Sequence, residues 1–146
     1  MLRKCVFVLL PLLVLGCAGS PSRVLLTKSD KLKDVSTFDL CKTYFLNPTA
    51  KLKLELKERN AFTPEEWSFI DERKIYIGMT ESALVCAWGY PGVFGWVTES
   101  VTEQGTHWQW VYRPCPVCKA QYVYVKEGKV TNWQNVKASR TEQGEN

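Results

Sequence analysis

A single histidine among 146 residues excludes catalysis by a histidine pair and metal sites built from several imidazoles. Net charge is scarce as well, with 19 Lys and Arg against 15 Asp and Glu, or +4. Arg3 and Lys4 precede a segment that reads as a removable leader, and without them the balance is 17 against 15, or +2. So small an excess gives no ground for a nucleic-acid partner or a basic membrane patch. Crossing a bilayer as a helix takes about 20 apolar residues. The apolar stretch Cys5–Leu15 is shorter than that and is interrupted by Pro11. What the chain does hold is a composition 45% hydrophobic and 12% aromatic, which requires a real core and excludes a disordered chain. Its length suits one ordinary domain.

Residues 1–16 read as a secretory signal: Arg3 and Lys4 supply its positive start, and the stretch to Leu15 supplies its apolar middle. It closes on Val14-Leu15-Gly16-Cys17, which resembles the lipobox of bacterial lipoproteins. In that family the cysteine thiol receives a diacylglyceryl group, the leader is cut before it, and the new amine is acylated. The resemblance makes Cys17 the first residue of a mature chain of 130 and the site of palmitate-type acylation. Each buried methylene contributes about 0.8 kcal/mol, so several acyl chains hold a protein at a membrane where one does so only marginally. Residue 18 is Ala, not the Asp that retains lipoproteins at the inner membrane, so the expected place is the periplasmic face of the outer membrane.

Residues 17–34 are rich in Ser, Lys, Gly and Pro and read as a flexible tether. Residues 35–61 form a helical prefix. Ser36 caps its first turns, and Asn47-Pro48 ends that helix and starts another. All six tryptophans lie beyond Phe62, which places the compact domain at 62–136. Thr63-Pro64-Glu65-Glu66 is a capping box opening one helix, with Trp67 and Ile70 inward. Ile75-Tyr76-Ile77 reads as extended. Thr80 caps a second helix through Trp88, and Gly89 and Pro91 end it. The period then changes to two. Trp108, Trp110 and Tyr112 alternate along one strand and Tyr122 and Tyr124 along another. Glu127-Gly128 turns into a strand from Val130, and a looser strand occupies Gly95–Val101. Residues 137–146 form a polar, disordered tail. The expected class is α+β: two helices packed on a three- to four-stranded antiparallel sheet, with an extra N-terminal helical segment.

The order Ile77-Gly78-Met79-Thr80, Trp88-Gly89-Tyr90-Pro91, Gln109-Trp110-Val111-Tyr112 and Tyr122-Val123-Tyr124-Val125-Lys126-Glu127-Gly128-Lys129-Val130 resembles the SmpA/OmlA, or BamE-like, family of small outer-membrane lipoproteins. The resemblance covers roughly residues 64–134 and implies two helices on a three-stranded antiparallel sheet. It also implies a role in protein contact: the family serves the machinery that assembles outer-membrane β-barrels, and related folds inhibit secreted β-lactamases. The segment Val35–Arg59 and the insertion Pro-Cys-Pro-Val-Cys at 114–118 depart from the pattern, so fold carries over better than role.

Four cysteines remain after Cys5 leaves with the leader and Cys17 is acylated: Cys41, Cys86, Cys115 and Cys118. An even number in an oxidising compartment points to two disulfides. The pairing favoured here is Cys115–Cys118, closing a loop, and Cys41–Cys86, tying the prefix to the second helix. By the chain-entropy model the short loop contributes about 2 kcal/mol and the long one about 4. Cys115-Pro116-Val117-Cys118 also matches a redox-active CxxC, but it falls between strands, where no helix N-terminus lowers a thiol pKa.

A hydrolytic arrangement of Ser82 or Ser100 with His107 has no spacing to support it, and Glu65-Glu66 and Asp71-Glu72 read as helix charges. The run Lys51–Lys57 reads as an amphipathic face docked on the domain. The aromatic strands carry the functional hint. Trp108 and Trp110 favour the core, and any of Trp108, Trp110, Tyr112, Tyr122 and Tyr124 on an uncovered face would make a protein-binding patch. The expectation is a non-enzymatic module, held to the membrane through Cys17 and binding another envelope protein. It expects no metal, cofactor, nucleic acid or small-molecule substrate. Two alternatives stand beside it: a small thiol-disulfide enzyme using Cys115 and Cys118, and an inhibitor of a secreted enzyme.

Overall fold

A computed structural model describes residues 20–92 and 94–135. The leader, Cys17 and the polar tail lie outside the described residues. Six helices precede four strands: α1 (Pro21–Leu26), α2 (Ser29–Leu32), α3 (Thr37–Leu46), α4 (Ala50–Glu58), α5 (Pro64–Asp71), α6 (Glu81–Trp88), β1 (Trp96–Thr102), β2 (Gly105–Tyr112), β3 (Gln121–Lys126) and β4 (Lys129–Asn135). The strands form one antiparallel meander in the order β1-β2-β3-β4, so the class is α+β with helices layered on a sheet.

Local chemistry explains most boundaries. The Thr63 hydroxyl accepts from the Glu66 N–H and the Glu66 carboxylate accepts from the Thr63 N–H, both at 3.1 Å, closing the capping box of α5. Thr80 accepts from Ala83 N–H at 3.3 Å to start α6, and Ser36 accepts from Asp39 N–H at 3.1 Å to start α3. One cap differs from expectation. Thr49, not Asn47, caps α4, while Asn47 ends α3 by donating its N–H to Thr43 O. Ile75-Tyr76-Ile77 is likewise a connector and not a strand, although Gly78 N–H and Val130 N–H exchange bonds with Val130 O and Met79 O. Glu127 and Gly128 both take positive φ (50° and 71°), the geometry that a two-residue hairpin needs.

The core is continuous from Val24 to Val130. On the sheet, Trp110 pairs opposite Val123, Trp108 opposite Val125, and Val125 opposite Val130, so these share the face that α3 and α6 cover. Leu40 and Cys41 of α3 meet Leu84, Val85 and Cys86 of α6 within the same core. α4 adds Leu52 and Leu56 and leaves Leu54 exposed, as an amphipathic helix docked on the domain does.

The tether expected at 17–34 is corrected over most of its length. α1 and α2 occupy residues 21–32, and Val24 and Leu32 are fully buried. Distant cations hold this stretch down: Arg59 donates to Leu32 O at 2.7 Å and Val35 O at 2.8 Å, and the Lys51 ammonium donates to Thr27 O. Nor does a boundary separate a prefix from a domain at residue 62, because both sides supply one core.

Glu66 is the one buried carboxylate among the described residues, and it also accepts from the Thr80 N–H (2.9 Å) and hydroxyl (2.6 Å). Glu66→Ala strands these donors. Bonds to charged groups are each worth about 1.5–3 kcal/mol, so urea unfolding is expected to show a loss of about 3 kcal/mol, with Glu65→Ala close to neutral. Gly89 ends α6 at φ 77°, and a Cβ there would stand 2.6 Å from Cδ1 of Phe45. Gly89→Ala should therefore cost about 2 kcal/mol or more in the same assay.

Candidate functional site

α3, the end of α6, and the loop leading from Gly89 to β1 enclose an open groove of about 600 Å³. Pro21, at the start of α1, lines it as well. Its floor is built by Phe45, Trp88 and Tyr112. Trp88 and Tyr112 meet edge to face with centroids 5.6 Å apart, and the Tyr112 hydroxyl donates to Gly89 O at 3.0 Å. Burial, with the nearby charges of Tyr90 and Glu81 adding to it, pushes the Tyr112 phenol up, so it stays a protonated donor. Trp88 Nε1 donates to Arg73 O, and Arg73 donates to Phe45 O while its guanidinium lies 4.7 Å from the Phe45 ring.

Large apolar groups lining the groove are exposed: Tyr90 and Phe94 by 47% and 43%, and Leu46 by 66%; Trp96, next to it in β1, is 45% exposed. The Arg113 guanidinium stacks 5.4 Å from the Trp96 ring centroid, and its buried Nε has no hydrogen-bond partner among the described residues. Lys42 lines the groove too, its ammonium paired with Asp39 at 2.7 Å. Burial raises the Asp39 carboxyl, but hydrogen bonds from Lys42 and Ser36 and the Lys42 charge outweigh it and leave the pKa lowered.

The five expected patch residues do not form one surface. Trp108, Trp110 and Tyr112 face the helices, with Trp110 fully buried, and Tyr112 reaches the groove. Tyr122 and Tyr124 pair opposite Val111 and Gln109 and so occupy the other face. There the Tyr124 hydroxyl accepts from Gln109 Nε2 at 3.2 Å and Gln134 Nε2 at 2.6 Å, a self-satisfied polar network. The residues that sequence reasoning missed are Tyr90, Phe94, Trp96 and Arg113. For Tyr90 and Phe94 the signal is an aromatic side chain beyond a glycine C-cap, where no helix or strand period assigns it to a core; Trp96 falls in the looser strand expected at Gly95–Val101, and Arg113 carries no local signal.

Cys115 and Cys118 form a disulfide in the β2–β3 loop, and no helix begins there to stabilise a thiolate. The other expected bond is not formed. Cys41 and Cys86 are fully buried in contact across α3 and α6, but they stand as thiols that hydrogen-bond each other. Helix packing alone brings them together. Burial, then the Cys41 contact, pushes the Cys86 thiol well up, which makes it inert.

Ser100 pairs opposite His107, yet no hydrogen bond joins them among the described residues, and Lys126 stands on the other side of His107. Asp71 binds Lys53 and Glu72 binds Lys74. No three His, Cys, Asp or Glu converge as a metal site among the described residues. Comparison of the chain with protein-family models, curated proteins and solved structures finds no match in any of the three.

Peptide mapping with maleimide should find Cys41 and Cys86 unlabelled in the folded protein and both labelled after denaturation without reductant. Their failure to label once unfolded would show that the bond forms in the isolated protein.

Proposed function

We propose that this chain is a lipid-anchored module of the bacterial outer membrane, on the periplasmic side, that binds another envelope protein as the SmpA/OmlA-like resemblance implies. The observation that carries the reading is the exposed set Leu46, Tyr90 and Phe94 lining the groove, continued past it by exposed Trp96, on which the groove residue Arg113 stacks. Aromatic residues and Arg are the groups enriched where proteins bury central contacts.

The position of the groove agrees with an anchor at Cys17. Pro21 lines it, Cys17 lies four residues earlier, and four residues of extended chain span at most about 14 Å. A partner that reaches the rim is then one that works close to the membrane surface. A redox role for Cys115–Cys118 lacks the helix N-terminus that tunes such thiols.

The test has two arms in intact cells. Mass analysis of the mature N-terminus should find acyl chains on Cys17, and Cys17→Ser should release the protein from membranes. A photo-crosslinking phenylalanine analogue at Phe94 should give a discrete adduct with one envelope protein, and the same group at Glu127 none. Absence of any Phe94 adduct across growth conditions counts against a protein partner. An adduct with a secreted enzyme whose activity falls on binding would favour the inhibitor reading instead.

A further inference from the structure

A second cavity, of about 450 Å³, lies beside the groove, between α3, the start of α6 and strands β1 and β2. Four rings line it: Phe38, Tyr90, Trp108 and Trp110. Tyr90 stands between Phe38 and Trp110, edge to face with each, at centroid distances of 5.7 and 5.3 Å. Such a set gathers four aromatic rings round one volume, and Tyr90 and Trp108, the two that stay partly exposed, are the kind of group that attracts an organic cation.

The charges point the same way. Glu81, the first residue of α6, lines the cavity, and among the described residues its carboxylate has no hydrogen-bond or ion-pair partner. Partial burial pushes its carboxyl up. Lys42 also lines the cavity, but Asp39 neutralises its ammonium at 2.7 Å. That ammonium sits 5.3 Å from the Phe38 ring centroid, so one ring of the set already holds a cation over its face. Ionised Glu81, Asp39 and Lys42 together leave the site one negative charge. An anion is repelled by this balance, a neutral apolar ligand leaves the half-buried carboxylate unpaired, and a metal ion finds only one carboxylate lining the cavity.

We propose that this cavity binds a small organic monocation, an alkyl- or trimethylammonium group seated against Tyr90 and Trp108, backed by Phe38 and the buried Trp110, with the Glu81 carboxylate as its counter-ion. The site does not depend on the membrane anchor. Tyr90 and Trp108 remain partly exposed and give the ligand its way in.

Titrating the full chain with choline chloride, with sodium chloride matching ionic strength, reads the site through its two tryptophans. The expected result is a saturable change in tryptophan fluorescence. The neutral isostere 3,3-dimethylbutan-1-ol should bind about tenfold more weakly, since a desolvated cation–π contact is worth on the order of 1–2 kcal/mol. Glu81→Gln should weaken choline several-fold and leave the isostere unchanged. Tyr90→Leu, at an exposed ring whose loss opens no core, should weaken choline as well. Phosphocholine distinguishes the source: equal binding indicates a lipid headgroup, and weaker binding indicates a free cation. No saturable change with choline, equal binding of the isostere, or undiminished binding by Glu81→Gln would each overturn the assignment.

Discussion

The arrangement of the helices turns on one buried carboxylate. An unpaired charge in an apolar interior costs several kcal/mol, so Glu66 is tolerable only where its oxygens are filled. They are filled by the start of its own helix, through Thr63, and by the start of α6, through the Thr80 N–H and hydroxyl. Two helix N-termini are thereby locked to one group. Thr80 also bridges to Lys129, and Glu81 N–H donates to Gly128 O, so the same junction sets the helix layer against β4. Once α6 is placed, Trp88, Gly89 and the loop carrying Tyr90 and Phe94 have little freedom left. The groove therefore depends on a contact far from it in the fold.

Legibility in the sequence follows the range of the interaction. The caps at Thr63 and Thr80 and the C-cap at Gly89 are readable because each is settled within about four residues. The strands are readable because alternation along β2 and β3 is local too. Which face of β3 matches which face of β2 is not local. It is a register, and setting Trp110 opposite Val123 sends Tyr122 and Tyr124 away from the tryptophans. α1 and α2 fail to show for a related reason. Each buries one fully enclosed side chain, Val24 and Leu32, which makes no period, and the cations that hold the stretch come from Lys51 and Arg59, more than twenty residues on.

The two faces of the sheet resolve their surface differently. The helix-facing side buries Trp110, Val123, Val125 and Val130, while the other buries Val111 and ties Gln109, Tyr124 and Gln134 into hydrogen bonds that need no partner. Uncovered sheet is thus not by itself a binding surface here. The exposed rings Tyr90 and Phe94 are instead supplied by the loop that follows α6, where chain direction and not strand alternation sets their exposure, and Trp96 follows at the first position of β1.

The helical segment that the family resemblance does not account for is what completes that loop as a site. Phe45 and Leu46, from the end of α3, line the groove together with Tyr90 and Phe94, and Pro21 of α1 lines it as well. Phe45 approaches so closely that residue 89 has no room for a side chain. The turn that ends α6 and the wall that α3 supplies therefore constrain each other: a glycine is needed both for its positive φ and for the ring beside it. An N-terminal segment serving only as a spacer would leave Trp88 and Tyr112 without the rings of α3 beside them. Packed as it is, the same segment makes a groove of those rings and brings the first helix to its mouth.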